Sequence, residues 1–542
     1  MNKINKLQTQ LYFLFLALAV GLFLLLATKK PFGTNSLIGN FDPFPDSLHY
    51  IVPARNFALG NGFTFAREQG SVGIGVPPIY SLTLIPTYFI NQDARSFHFS
   101  NLALGVISIV LLFAISRQLS KSVWVTGLLL FVYVISFVIY WQPSLAMAEN
   151  VLLPVCLAVL WLFLQPLSMS KVVISAFLAI ACYGSKYVSL PISAVFMLFL
   201  LGKIYLEEKN KSLAWRYALV AIIIALSSFL VLGGKQFLSY IPKLLQSDLS
   251  NSAATHADTR WLSFEYLSKS LPQYSSALFG APIYNLWHTK AILPQGMAAL
   301  VLGWCVWAIF RLPKQRFFAA LLVSLILGQL AFLSMIEMIE GRYAFVFIPI
   351  IFTGAAAMAG QLIDWGERKI SKQKNTILQI ATVTLLALAS LMMNFQDLKT
   401  QLLLNFKGGE MPWWQVGVQE ADRFIQQINT DQAQEPIVIS SLSPFVWDFY
   451  RQARYQVLPL SSSQSMVQET IWGVDLPSDD LSAYYKNELA KGRVIYLATV
   501  GFGRADWPFL DVYRAEGMQL ELLEENCAGA CKIYQLNTEQ NN

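Results

Sequence analysis

The chain has 542 residues, with 39 Lys and Arg against 33 Asp and Glu for a net charge of +6, and 55% of its residues are hydrophobic while only 13% are charged. Its mean hydropathy of +0.48 excludes a water-soluble globule or a disordered chain, because a solvated surface cannot be built from so few polar residues. The surplus positive charge and the sequence pI of 8.8 come largely from short connections between apolar runs, so they signal membrane orientation rather than a nucleic-acid partner.

Eleven apolar runs between Leu11 and Asn394 are each roughly long enough to cross a bilayer, which takes about 20 residues. The first, Leu11 to Ala27, follows a short basic stretch with Lys3 and Lys6. No small-x-small cleavage site follows it, and Lys29, Lys30 and Pro31 come directly after, so it reads as an uncleaved helix and not a signal peptide. The next connection, 28–98, contains a helical pattern after Asp46 that stops at Gly60-Asn61-Gly62. It also contains Pro77 to Ile90, which is apolar but short and carries Pro77, Pro78 and Pro86; it reads as an interfacial or re-entrant segment. Farther on, Gly184-Ser185-Lys186 divides Val172 to Leu201 into two short helices.

With the N-terminus taken as cytoplasmic, every second connection is basic: Arg117 with Lys121, Lys171, Lys203 through Arg216, Arg311 through Arg316, and Arg368 through Lys374. The alternate connections at 28–98, 141–149, 184–186, 234–293 and 336–342, and everything after Asn394, then face outward. The sequence therefore predicts a polytopic α-helical membrane domain over 1–394 with about eleven crossings, N-terminus in and C-terminus out. From Phe395 to Asn542 charged residues return and apolar runs shorten to strand length at Pro436–Ser440, Tyr455–Leu460, Val494–Val500 and Cys531–Leu536, between helical patterns at Trp414–Ile428 and Asp480–Lys491. That alternation predicts an extracytoplasmic α/β domain over 395–542. Cys156, Cys182 and Cys305 lie in apolar helices and read as small apolar side chains, whereas Cys527 and Cys531 stand close together outside the cytoplasm and are expected to form a disulfide rather than a metal site.

Candidate chemistry falls in the outward loops. Asp46 on its own reads as a helix cap. It stands, however, in Asp46-Ser47-Leu48-His49-Tyr50, followed by Ala54-Arg55 and Gly60-Asn61-Gly62. This segment resembles the first-loop signature of the GT-C membrane glycosyltransferases, the polyprenyl-phosphate-sugar-dependent group that includes protein O-mannosyltransferases and the aminoarabinose transferase of lipid A. Pro77-Pro78-Ile79-Tyr80, Met147-Ala148-Glu149-Asn150, and Gly341-Arg342-Tyr343 with Pro349 resemble later motifs of that group in the same order, and the likeness spans the membrane region. It departs at Ser47 and Val76, where the group often has an acidic and a basic residue; Asp42 or Glu149 is left as the partner of Asp46.

The resemblance implies transfer of a sugar from a polyprenyl-phosphate donor to an envelope glycan, lipid or protein acceptor on the outer face of a membrane; the short basic N-terminus and the lack of an outward Asn-x-Ser/Thr excess suit a bacterial inner membrane, with the C-terminus in the periplasm by the parity of the loops. Such a transfer needs a base near the acceptor and positive charge near the leaving phosphate. Asp46, with Glu149 and Asp42, supplies the carboxylates; Arg342 and Lys186 supply phosphate contacts; Tyr50, Arg55, Tyr80 and Tyr343 line the substrate. Lys186 also reads as a snorkelling residue, and Arg342 as an ion pair with Glu337 or Glu340. His256, Asp258, Arg260 and His288 read as a solvated loop. No cofactor is specified, and a divalent metal is left open. A transporter would carry mid-helix charges and inverted repeats, which are not seen; a lipid-linked glycan ligase or polymerase, or a non-catalytic transport or assembly protein, are the alternatives.

Overall fold

The computed structural model describes residues 3–28, 46–67, 70–72, 76–234, 264–281, 293–336, 339, 341–370, 372–407, 413–428, 434–440, 442, 446–447, 455–459, 477–478, 480–500, 517–525, 527 and 531–538. Asp42, Glu337, Glu340, His256, Asp258, Arg260 and His288 lie outside the described residues.

After α1 (Lys3–Ala27), the first connection forms α2 (Asp46–Ala58), a short antiparallel pair β1 (Phe65–Arg67) and β2 (Gly70–Val72), and α3 (Pro78–Ile90). Gly60 and Gly62, at φ +83° and +82°, end α2 in a conformation that L side chains rarely adopt. Pro77 and Pro78 start α3, where a missing N–H costs nothing. The bundle continues as α4 (Phe97–Ser120), α5 (Val123–Ile135), α6 (Phe137–Trp141), α7 (Glu149–Phe163), α8 (Met169–Ser185), α9 (Leu190–Glu207) and α10 (Lys211–Phe229). Beyond α11 (Leu267–Leu278) come α12 (Met297–Arg311), α13 (Arg316–Ser334), α14 (Phe347–Lys369) and α15 (Lys372–Lys407).

Each of the eleven apolar runs is thus a helix, with α5 and α6 forming one bent pair. Among the described residues seven helices are long and apolar enough to cross a membrane, eight with the pair, which bends by 60°. The count of eleven rests on α7, α8 and α12, which are shorter. Ser136 makes the bend: its backbone is extended (φ −65°, ψ 125°) and its hydroxyl donates to the Val132 carbonyl at 2.7 Å. Helices approach closely at glycines, since a Cβ on Gly105 would lie 2.2 Å from Phe23 and one on Gly360 would lie 2.2 Å from the Leu119 carbonyl.

Polar contacts sort the bundle into two ends. At one, Gln118 donates to the Leu164 carbonyl (2.9 Å), Lys203 to the Phe163 carbonyl (2.6 Å), Gln315 to Gln361 (3.1 Å) and Ser122 to Gln379 (3.0 Å). At the other, Lys186 meets Glu149, Gln329 donates to the Val188 carbonyl (3.0 Å), Ser270 to the Ile336 carbonyl (3.0 Å) and Asn405 to the Leu26 carbonyl (2.7 Å). The basic connections occupy the first end. Because the C-terminal ends of α1 and α15 meet, these two helices run in the same direction, as an odd number of crossings requires.

α15 does not stop at Asn394, where the composition changes. It continues to Lys407, because Asp397, Lys399, Thr400 and Gln401 keep the helical register while leaving the apolar zone. The α/β domain follows, with α16 (Trp413–Ile428), β3 (Ile437–Ile439), β4 (Gln456–Leu458), α17 (Leu481–Ala490), β5 (Ile495–Ala498), β6 (Met518–Glu524) and β7 (Ile533–Thr538). The sheet order is β4-β3-β5-β7-β6, with β4, β3 and β5 parallel and β7 and β6 antiparallel. β3 is apolar throughout because both of its faces are covered. Ile437 and Ile439 pack with Leu481 and Tyr485 of α17, while Val438 packs with Val418, Ala421 and Ile425 of α16. The cluster around Val438 continues into Leu48, Tyr50 and Ile51 of α2 and Tyr80 and Leu84 of α3. The α/β domain therefore sits on the first-connection helices, at the Glu149 end of the bundle.

Candidate functional site

The centre of that end is the start of α7. The preceding turn is held by buried polar side chains: Asn101 donates to the Leu145 (2.8 Å) and Pro143 (3.2 Å) carbonyls, and Asn150 donates to those of Met147 and Leu145, both at 3.0 Å. His98 Nδ1 lies 2.9 Å from the Pro143 carbonyl. This scaffold fixes Glu149 as the first residue of α7, where the free amides of the helix start favour a negative charge. Lys186 is the C-cap of α8, where terminal carbonyls favour a positive one.

Lys186 Nζ and Glu149 Oε1 form an ion pair that joins side chains 12% and 1% exposed. The second carboxylate oxygen, Glu149 Oε2, is buried and has no hydrogen-bond partner among the described residues. An unmet buried acceptor costs about 1–3 kcal/mol, more when charged, and the group that would meet it is a hydroxyl or amine donor.

The 3₁₀ segment Gly341–Val346 closes the site from the far side of the sequence. Lys186 Nζ lies 4.6 Å from the centroid of the Tyr343 ring, and the buried Arg342 guanidinium lies 5.5 Å from it. One ring therefore holds two cations through its negative face. The planar Arg342 fork matches phosphate oxygens in shape.

Tyr80 borders this cluster. Its hydroxyl donates to Asn101 Oδ1 at 2.9 Å, and burial, with the Glu149 charge adding to it, pushes the phenol pKa well up, so the group remains a neutral donor. The Tyr50 ring meets the Tyr80 ring edge-on, with centroids 5.1 Å apart, and pins the first turns of α2 above α7. Asp46 opens α2 one turn before Tyr50; its side chain lies outside what is described. Arg55 Nε donates to the Gln92 carbonyl at 3.1 Å, beyond the far end of α3 and about 18 Å along the chain axis from Tyr80 at 1.5 Å per residue.

The structure thus brings Glu149, Lys186, Arg342 and Tyr343 together, sets Tyr80 and Tyr50 beside them, and gives Arg55 a strut between α2 and α3. Cys527 and Cys531 are joined as a disulfide with Cα atoms 4.9 Å apart; Cys156, Cys182 and Cys305 are buried thiols. Among the described residues no group of three or more His, Cys, Asp or Glu could hold a metal ion. Sequence reasoning missed Asn101 and His98, although two strongly polar residues in the apolar run from Phe97 were a usable signal. It also treated Lys186 and Glu149 separately.

No protein-family model and no curated protein sequence matches the chain. Solved structures do. ArnT from Cupriavidus metallidurans bound to undecaprenyl phosphate superimposes with a TM-score of 0.58 at 12% identity, covering 96% of this chain and 97% of that one. The chain has the GT-C fold. The apo form of the same ArnT gives 0.56 at 12% identity, covering 97% and 98% of the two chains. The archaeal oligosaccharyltransferase AglB from Archaeoglobus fulgidus, in complex with an inhibitory peptide and a dolichol-phosphate, gives 0.54 at 11% identity, covering 90% of this chain and 69% of that one. At such identities the likeness concerns the fold. Within this GT-C fold the paired Glu149 and Lys186 lie at the bundle end that also carries the first connection and the α/β domain.

Proposed function

We propose that the chain is a membrane glycosyltransferase that moves a sugar from a polyprenyl-phosphate donor to an acceptor on the outer face of a bacterial inner membrane. The observation that carries this reading is the buried Glu149 at the start of α7, one oxygen paired with Lys186 and the other open, beside Arg342. Two neighbours in fold are described with polyprenyl phosphates, undecaprenyl phosphate in ArnT and a dolichol-phosphate in AglB, which supports a lipid phosphate as the carrier here.

In the proposed reaction the acceptor hydroxyl or amine attacks the anomeric carbon as the carbon–oxygen bond to phosphate breaks. The electron pair leaves with the polyprenyl phosphate, and Arg342 and Lys186 receive its charge. Asp46, one turn before Tyr50 at the start of α2, takes the acceptor proton, with Asp42 as the next carboxylate in the segment; a single base and one displacement invert the anomeric configuration. Glu149 holds Lys186 in place, and its open oxygen accepts a hydrogen bond from the sugar or acceptor. Tyr343 keeps the two cations together, and Tyr80 and Tyr50 wall the entrance. Eleven crossings, with the N-terminus cytoplasmic and the α/β domain periplasmic, place acceptor and site on one side. The acceptor is an envelope glycan, lipid or protein.

The test is incubation of purified protein with candidate polyprenyl-phosphate sugars and measurement of released lipid phosphate. Release above that of a Glu149→Gln variant is expected with the right donor; equal, background release across a donor panel would remove the reading.

A further inference from the structure

Two of the three free thiols of the chain, Cys156, Cys182 and Cys305, meet each other. Cys156 Sγ of α7 and Cys182 Sγ of α8 lie 3.7 Å apart, in van der Waals contact, and both side chains are fully buried. A buried residue touches about 6–12 others, so a chance meeting of any two of three thiols in a chain of 542 residues has odds of about one in twenty. Packing alone does not call for it, because a thiol used only as a small apolar side chain is served by any apolar neighbour.

The thiols lie on the seam that carries the charged pair. Glu149 and Cys156 are two turns apart on α7, at positions i and i+7, and Cys182 and Lys186 are one turn apart at the end of α8, at i and i+4. Both spacings return to the same face of a helix. At 1.5 Å per residue the thiols sit about 6–10 Å beneath the Glu149–Lys186 contact. The Cys182 carbonyl accepts the Lys186 N–H at 3.2 Å, and the Cys182 thiol donates to the Leu178 carbonyl at 3.5 Å, so Cys182 is fixed in the last turn of α8.

A disulfide needs its sulfurs about 2.05 Å apart. The remaining distance of about 1.7 Å is the scale of a side-chain rotation and not of a helix rearrangement. The surroundings favour uncharged species: a thiolate finds no water there, so water-borne thiol reagents act slowly, whereas two thiols and a disulfide are both neutral. An oxidant that reaches the pair through the bilayer is therefore apolar and takes two electrons.

We propose that Cys156 and Cys182 form a second disulfide, inside the membrane domain, with a lipid-soluble quinone as the oxidant. The two S–H bonds break, one S–S bond forms, and two electrons and two protons pass to the quinone, which leaves as the quinol. The cross-link clamps the α7–α8 seam beneath Glu149 and Lys186. It does not depend on the proposed transfer reaction, in which neither thiol takes part.

Purified full-length protein in lipid nanodiscs, incubated with decylubiquinone, then unfolded without reductant and alkylated, tests this by counting free thiols with mass spectrometry. Three alkylated cysteines are expected before oxidation and Cys305 alone after it. A tryptic digest, which cuts at Lys171 between the two sites, should then yield one peptide pair joined through Cys156 and Cys182. Cys156→Ala and Cys182→Ala should each keep both remaining thiols through the same treatment, and Cys305→Ala should still form the link. The oxidised parent should unfold at higher temperature than the reduced parent, because a cross-link restricts the unfolded chain. Three thiols surviving the quinone, a link from either cysteine to Cys305 or to a second copy of the chain, or an unfolding temperature that oxidation leaves unchanged would overturn the assignment. If an alanine variant does not elute as the parent does on size exclusion, the digest of the parent decides.

Discussion

Glu149 and Lys186 should behave as one unit. Removing the carboxylate by Glu149→Gln leaves an ammonium that is only 12% exposed without its counter-ion, and breaking a buried pair from one side costs about 3–5 kcal/mol. The helix-end contributions at the start of α7 and the end of α8 are each about 0.3–1 kcal/mol, so the pair dominates. Against a total stability of about 5–15 kcal/mol the single variant should unfold at clearly lower temperature or denaturant concentration. Lys186→Met should do likewise, by exposing the opposite defect. The double variant removes both charges, and an apolar replacement of a buried pair is often close to neutral, so it should recover most of the loss. Intrinsic-fluorescence unfolding of the detergent-purified protein measures all four corners of the cycle, with an expected coupling of about 2–3 kcal/mol. Transfer should not recover with stability, because the open Glu149 oxygen and the Lys186 charge are both gone. Losses that add to within about 0.5 kcal/mol would refute the pairing as the organising contact of the site.

Asp46→Asn should reach normal membrane levels, since Asn also starts a helix well, while sugar transfer falls by about a hundredfold or more, the scale of lost acid–base assistance; Asp42→Asn should be milder in the same donor-release assay. Arg342→Ala should raise the donor concentration needed for half-maximal release, and Arg342→Lys should recover only part of that, because an ammonium cannot make the two-pronged phosphate contact. Cys527 and Cys531 should resist thiol labelling until reductant is added, and their replacement should leave transfer active; complete labelling without reductant would contradict the disulfide. A reporter fused after Arg368 should be cytoplasmic and one after Lys407 exported, and the reverse result would reject the odd crossing count.

Hydropathy alone placed the eleven apolar runs of the bundle, because transfer of a side chain out of water depends on the residue itself and not on its neighbours, but it left α11 inside the long connection 234–293, although Tyr274, Ala277 and Leu278 pack into the bundle core. It separated α8 from α9 at Gly184-Ser185-Lys186 and located α2 by its glycine stop, and the strand-length runs found β3, β4, β5 and β7. β6 was not legible: in Met518–Glu524 the alternation breaks at Leu522-Leu523, where the pairing with β7 shifts register on a half-exposed edge strand, so the segment is equally readable as surface. The change of composition at Phe395 was legible but did not end the helix, since polarity marks where a helix leaves the apolar zone and not where its hydrogen bonds stop.

The site divided in the same way. Sequence motifs singled out Glu149, Lys186, Arg342, Tyr343, Tyr80 and Tyr50 one at a time, with a plain structural reading beside the chemical one for Lys186 and Arg342. That Glu149 meets Lys186, 37 residues away, and that Tyr343 sits against Lys186 and Arg342 together, depends on which helices lie side by side. Lateral order is set by side-chain packing between helices, at contacts such as Gly105 on Phe23 and Gly360 on Leu119, and by buried carboxamides such as Asn101 that fasten one turn to another. The sequence by itself placed these residues at or near helix ends in the connections that alternate with the basic ones. Only the tertiary structure decided which of them share a charge, because apolar helices are interchangeable to the lipid but not to one another.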